Sequence, residues 1–158
     1  MDQRWKPNVT VAAIVEDEGR YLLVEEHTAD GLRLNNPAGH LDPGESLLQA
    51  VAREALEETG RAFTPTHLVG IYLARSSGHN DPTYLRFAFG GVASAPVPGW
   101  KLDHGIVRTL WLTPQEIEAS QDRHRSTLLW RCVQDHGNGR RYPLEMLGEV
   151  NPAADTAA

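Results

Sequence analysis

Three glutamates, Glu54, Glu57 and Glu58, stand three and four residues apart in the segment GHLDPGESLLQAVAREALEETG that runs from Gly39 to Gly60. On a helix this spacing gathers three carboxylates on one patch, where like charges at i and i+4 destabilise each other. Such a crowd calls for positive charge from outside the helix. Arg53 supplies part of it. Magnesium or manganese, hard dications that prefer carboxylate oxygens and keep waters for a phosphorylated ligand, would supply the rest. A solvated acidic helix face is the competing reading of three glutamates taken alone.

The flanking residues decide between the two. Gly39 is followed after five residues by Glu45, after seven more by Arg53-Glu54, then by Glu57-Glu58 and Gly60. Seven fixed positions at average residue usage match by chance on the order of once in 10⁹ registers. The segment resembles the Nudix box, the signature of hydrolases that cut diphosphates linked to another group. It departs from that pattern after Gly60, where an aliphatic residue is usual and Arg61 stands here; Ala62 and Phe63 can supply the apolar contact instead.

Further stretches are similar to the NudJ-type phosphatase branch of the family: Lys6 to Ala12, Pro37 to Leu41, Tyr84 to Phe89 and Arg141 to Gly148, together spanning about residues 5 to 150. The resemblance implies an α/β Nudix fold, an α/β/α sandwich around a mixed β-sheet. It implies hydrolysis of terminal phosphates from nucleoside di- and triphosphates, and for this branch from thiamine diphosphate and its hydroxymethylpyrimidine diphosphate precursor, with release of orthophosphate. It also implies that the carbonyl of Gly39 and the carboxylates of Glu54, Glu57 and Glu58 hold one to three Mg²⁺ or Mn²⁺ ions, and that Glu54 or Glu58 accepts a proton from the attacking water. Arg53 and Glu45 read as a supporting salt bridge that ties the loop before the helix to the helix. Arg53 as a catalytic group in direct contact with phosphate is the alternative.

Other residues are candidates for substrate or extra metal contacts. Relatives often carry a further loop carboxylate where Gly105 stands; Asp103 or a water can substitute for it, and a solvated loop acid is the competing reading of Asp103. His40 beside the box turn can contact phosphate or, equally, be a turn histidine bonded to backbone, and His79 lies in the loop Ser76 to Pro82 that borders the expected substrate position. Arg86 meets phosphate if it faces the cleft and otherwise snorkels to solvent. Alternation puts Phe87 and Phe89 on the opposite face, as core or as a base-stacking wall, with Tyr72 and Tyr84 also available for stacking.

The elements that must position these groups follow from period and punctuation. Val9 to Val15 reads as a strand, Asp17-Glu18-Gly19 as a turn and Tyr21 to Val24 as its hairpin partner. Pro43-Gly44 turns the chain, and Ser46 with Gln49 forms a capping box that starts a helix over Leu47 to Thr59. Leu47, Leu48, Val51, Ala52, Ala55 and Leu56 form its buried side, the glutamates its charged face, and Gly60 its C-cap. Strands follow at Leu68 to Ala74, Tyr84 to Val92 and Val107 to Leu112, and short helices at Pro114 to Ala119 and Thr127 to Asp135. One Nudix domain over 1–150 and a frayed tail over 151–158 are expected.

With 158 residues and 41% apolar content the chain can bury one core. A net charge of −6 argues against a nucleic-acid binder held by phosphate contacts, so a small phosphorylated substrate must be attracted locally. No stretch reads as a signal peptide or approaches the roughly 18 apolar residues of a membrane span. The lone Cys132 sits in a helical apolar pattern and reads as a packing thiol. A cytoplasmic enzyme fits these features, and its oligomeric state is open. The competing functions are another Nudix specificity, such as nucleoside triphosphate to monophosphate plus pyrophosphate, dinucleoside polyphosphate cleavage or ADP-ribose cleavage, and a Nudix-like binding or sensor module. A sensor would have lost metal carboxylates, and the ADP-ribose members carry a proline that is absent near Ser76 to Gly78.

Overall fold

The computed structural model describes residues 4–75 and 82–150. Its elements run β1 (Asn8–Ile14), β2 (Glu16–Asp17), β3 (Arg20–Thr28), β4 (Gly31–Asn35), β5 (Ala38–His40), α1 (Leu47–Thr59), β6 (Phe63–Arg75), β7 (Thr83–Ala93), β8 (Ile106–Leu112), α2 (Pro114–Ala119) and α3 (Leu128–Gly137). Single-turn 3₁₀ segments lie at Gln121–Arg123 and Leu144–Met146.

Alternation along β1 sets the layers. Val11 and Ala13 join a buried cluster with Ala50, Val51 and Ala55 of α1, whereas Ala12 and Ile14 join a second cluster with Leu129, Cys132 and Val133 of α3. A strand buried on both faces loses the apolar–polar alternation of a surface strand, which is why β1 reads as a continuous apolar run. The mixed sheet has the order β5-β1-β7-β6; β1 and β7 are parallel, and the other two pairings are antiparallel. A second, antiparallel sheet forms around β3, which pairs with β4 on one side and β8 on the other. With α1 on one face of the mixed sheet and α2 and α3 on the other, the α/β/α sandwich is the observed architecture.

The expected hairpin from Val9–Val15 to Tyr21–Val24 is corrected. Glu18 and Gly19, both left-handed, do make a tight turn, but it joins only the two-residue β2 to β3. β1 leaves for the other sheet, where its full length is taken up by β7. The hydrogen-bonding capacity of a seven-residue apolar strand is better used between two neighbours than at a hairpin edge.

The box helix follows its sequence signals. Ser46 accepts from Gln49 N, the Gln49 side chain returns to Ser46 N, and Gly60 adopts a left-handed φ of 70° as the C-cap. Its buried side is rotated from the expectation, however: Ala50, Val51, Glu54, Ala55, Glu58 and Thr59 are buried, while Leu47, Leu48, Ala52 and Leu56 are only partly covered. Two of the three glutamates therefore face inward. Arg61 lies 5.3 Å from the Trp111 ring and donates to Ser94 O, while Phe63 is buried in the α1 cluster, so the departure from the box pattern is accommodated.

Candidate active site

The site forms where α1 meets β5 and the loops around it. Gly39 lies at the centre of β5, and a Cβ added there would land on the Glu54 carboxylate, so only glycine permits this approach. Glu54 is 9% and Glu58 7% exposed, whereas the Glu57 side chain is 41% exposed. One edge of the trio is closed by backbone: Ala38 N donates to Glu58 Oε2 at 3.2 Å.

Arg53 is the hub. Its Nε and Nη2 donate to Glu45 Oε2 and Oε1 at 3.0 and 2.7 Å, its Nη1 to Glu54 and Glu57 at 2.8 and 3.3 Å, and its Nη2 also to the His40 carbonyl at 2.9 Å. A guanidinium has five N–H donors, and these five bonds use them all. Arg53 therefore supports the site and has no donor left for phosphate. Glu45 in turn accepts from Asp42 N at 2.8 Å and fixes the Pro43-Gly44 turn, and the Arg53 hydrogen bonds hold its pKa below the usual carboxylate range.

One cation does not balance this cluster. Burial raises the pKa of Glu54 against the opposing pull of Arg53. Glu58 receives no guanidinium; burial first, then the charges of Glu26, Glu54 and Asp103, push it up to about 9. Among the described residues no three acidic, histidine or cysteine side chains converge as a finished metal cage. The donor set nonetheless fits a hard dication, being all oxygen, crowded and short of positive charge.

The remaining candidates separate. Asp103 donates its N–H to Glu57 O at 2.9 Å, and its charge is felt by both Glu54 and Glu58, so the loop does bring a further acid to the trio. His40 is exposed, with its ring 6.3 Å from that of Tyr84. Arg86 does not snorkel to solvent: it is 6% exposed and donates to Asn36 Oδ1 at 3.3 Å. Phe89 is fully buried in the α1 cluster and Phe87 packs against it, so both are core. Tyr72 packs on the α3 cluster and donates to Asp135 at 2.8 Å. His79 lies outside the described residues, as does the tail 151–158. Cys132 is fully buried, and burial raises its thiol pKa, as a packing role requires.

Sequence reading missed Glu26 and Arg125. Glu26, 7% exposed on β3, lies within electrostatic reach of Glu58 and pairs with Arg125 at 2.7 Å. Its signal was an acidic pair, Glu25-Glu26, prolonging a buried apolar strand. Arg125 gave no local signal, because it enters the site through the fold alone.

The NUDIX domain family matches residues 5–130. The chain belongs to this family, and it is a Nudix hydrolase. It is 38% identical to the phosphatase NudJ of Escherichia coli K12 over 148 residues, 93% of this chain and 94% of that protein. Among solved structures it is similar to a NUDIX hydrolase from Nitrosomonas europaea, with 50% identity and a TM-score of 0.88 over 92% of this chain and 98% of that one. The MutT protein of Methanosarcina mazei Go1 shares the fold, at 22% identity and a TM-score of 0.69 over 88% and 100% of the two chains. No helix among the described residues is long and apolar enough to cross a membrane.

Proposed function

We propose that this enzyme removes terminal phosphates from thiamine diphosphate, hydroxymethylpyrimidine diphosphate and nucleoside di- and triphosphates, releasing orthophosphate in the cytoplasm. The observation that carries the reading is the carboxylate cluster on α1, crowded against Gly39 and served by one saturated arginine. The likeness to the phosphatase NudJ along nearly the whole chain supports the choice of the terminal phosphate.

Glu54, Glu57 and Glu58, with the carbonyl of Gly39, would hold Mg²⁺ or Mn²⁺. Bound there, the metal would neutralise the polyphosphate and lower the pKa of a coordinated water. Glu54 or Glu58 accepts the proton of the attacking water. Arg53 and Glu45 hold the Asp42 to Glu45 loop and aim the Glu54 and Glu57 carboxylates, acting through them rather than on substrate. Asp103 adds a carboxylate from the loop before β8, and His40, exposed with its ring 6.3 Å from that of Tyr84, is a candidate substrate contact.

The test is a product screen with Mg²⁺ across thiamine diphosphate, hydroxymethylpyrimidine diphosphate, nucleoside di- and triphosphates and ADP-ribose, repeated after chelation. Orthophosphate is expected as the first product, with turnover lost on chelation. Pyrophosphate as the main product from a triphosphate would refute terminal attack and leave the family assignment standing.

A further inference from the structure

A protein of net charge −6 that binds a polyphosphate must place a cation where the phosphates lie. Several arginines around the site are held by carboxylates or buried. Arg53 has spent its five donors, Arg108 and Arg123 are tied to Glu25, and Arg86 is buried against Asn36. Arg125 differs. Its Nη1 forms an ion pair with Glu26 Oε1 at 2.7 Å, its side chain is 52% exposed, and no hydrogen bond engages its guanidinium among the described residues.

The fold presents this arginine at a fixed point. Arg125 N donates to Leu34 O at 2.9 Å, and a bridge between Leu34 and His124 ties the same loop to β4. Glu26 faces one side of the guanidinium from β3, and Leu34, to which the loop is anchored, stands four positions before Ala38, whose N–H donates to Glu58 Oε2 at 3.2 Å, so the fold brings Arg125 toward the Glu58 end of the carboxylate trio. A half-used fork beside an anionic reaction centre matches the geometry by which guanidinium takes phosphate oxygens.

We propose that Arg125 is a substrate-phosphate ligand: Glu26 fixes one arm of its fork, and the free arm takes a non-bridging oxygen of the diphosphate beside Glu58. Glu26 is then a positioning residue. This inference rests on the diphosphate reading above. It adds the protein cation that offsets substrate charge which Arg53 cannot reach.

The experiment compares wild type, Arg125→Lys and Arg125→Gln by steady-state kinetics on a nucleoside diphosphate with saturating Mg²⁺, and by metal-free calorimetry with adenosine diphosphate and with uncharged adenosine. For Arg125→Gln the expected result is a KM at least tenfold higher, a kcat lowered less than about threefold, and a flatter dependence of kcat/KM on salt. Arg125→Lys should recover part of the KM, because it restores the charge without the fork. Diphosphate binding without metal should weaken at least fivefold, with adenosine binding changed less than twofold. KM and binding within twofold of wild type in both variants would overturn the proposal, as would an equal loss for adenosine. Failure of the wild type to turn over any diphosphate would sink the functional reading instead, and the metal-free binding difference would still decide the role of Arg125.

Discussion

Glu25 and Glu58 are both buried, at 5% and 7% exposure, yet their surroundings drive them in opposite directions. Glu25 on β3 accepts from Arg108 at 3.0 Å and from Arg123, and these hydrogen bonds hold its pKa below the usual range. Glu58 on α1 has one backbone N–H and three acidic neighbours, and its pKa rises to about 9. The first carboxylate is satisfied by the fold itself. The second is left short of positive charge, the difference expected between the proposed cation site and a structural ion pair.

The comparison breaks most sharply under substitution. We predict that Glu58→Gln or Glu57→Gln lowers kcat at least about 10²-fold with the fold intact, since each removes a charged oxygen donor from the proposed metal site. Glu25→Gln should keep kcat within about threefold. Activity within threefold of wild type in both α1 variants, measured by phosphate release, would sink the metal assignment.

Stability against pH gives the next largest effect. In the metal-free protein Glu58 keeps its proton up to about pH 9 when folded and only up to the ordinary glutamate value of 4.5 when unfolded. The folded state therefore carries the extra proton between these values, and stability falls as pH rises through that window. Glu25, with a depressed pKa, contributes in the opposite sense, with stability present above its unfolded pKa and lost as pH falls through the folded one. Metal-free wild type should lose on the order of 5 kcal/mol more than Glu58→Gln between about pH 5 and pH 9, at about 1.4 kcal/mol per pH unit. Parallel denaturation curves for the two proteins would show that Glu58 is not strained.

The structural carboxylate has its own, smaller signature. Glu25→Gln should cost about 1–2 kcal/mol at neutral pH, since a buried acceptor keeps its place but loses the charge that two arginines bind. Arg108 and Arg123, with side chains 60% and 44% exposed, can turn to water and limit the cost. Urea denaturation checks this value, and a variant as stable as wild type would remove Glu25 from the comparison.

Much of this was legible in the chain, for local reasons. The capping box at Ser46 and Gln49, the glycine C-cap and the positions of the three glutamates all depend on residues within a turn of one another, and they appear as expected. The Arg53–Glu45 pair was legible because its members stand only eight positions apart across the capped start of α1. The inward rotation of Glu54 and Glu58 was not, since helical periodicity favours apolar residues inside and only the approach of β5, carrying the bare Cα of Gly39, makes room for carboxylates there. The partner of β1 was hidden likewise: a turn signal names a hairpin, while the pairing of β1 with β7 spans some seventy-five residues and is settled by burial on both faces. Glu26 and Arg125, 99 residues apart in sequence, meet only through the stacking of a loop on β4.

The smallest effect tests the boundary between the two kinds of carboxylate, because Arg53 serves both. It closes a bidentate pair with Glu45, a structural contact, and reaches Glu54 and Glu57 with its remaining nitrogen. Losing either Arg53 or Glu45 frees the Asp42 to Glu45 turn, so the second loss should add little to the first. We predict a coupling of about 1 kcal/mol or more in a double-mutant cycle of Arg53→Gln and Glu45→Gln, read on kcat/KM. The single Arg53 variant should be the more damaging, because it also releases Glu54 and Glu57 from their common donor. Strictly additive losses would mean that the turn and the α1 carboxylates are positioned independently, and Arg53 would then belong to the metal side alone.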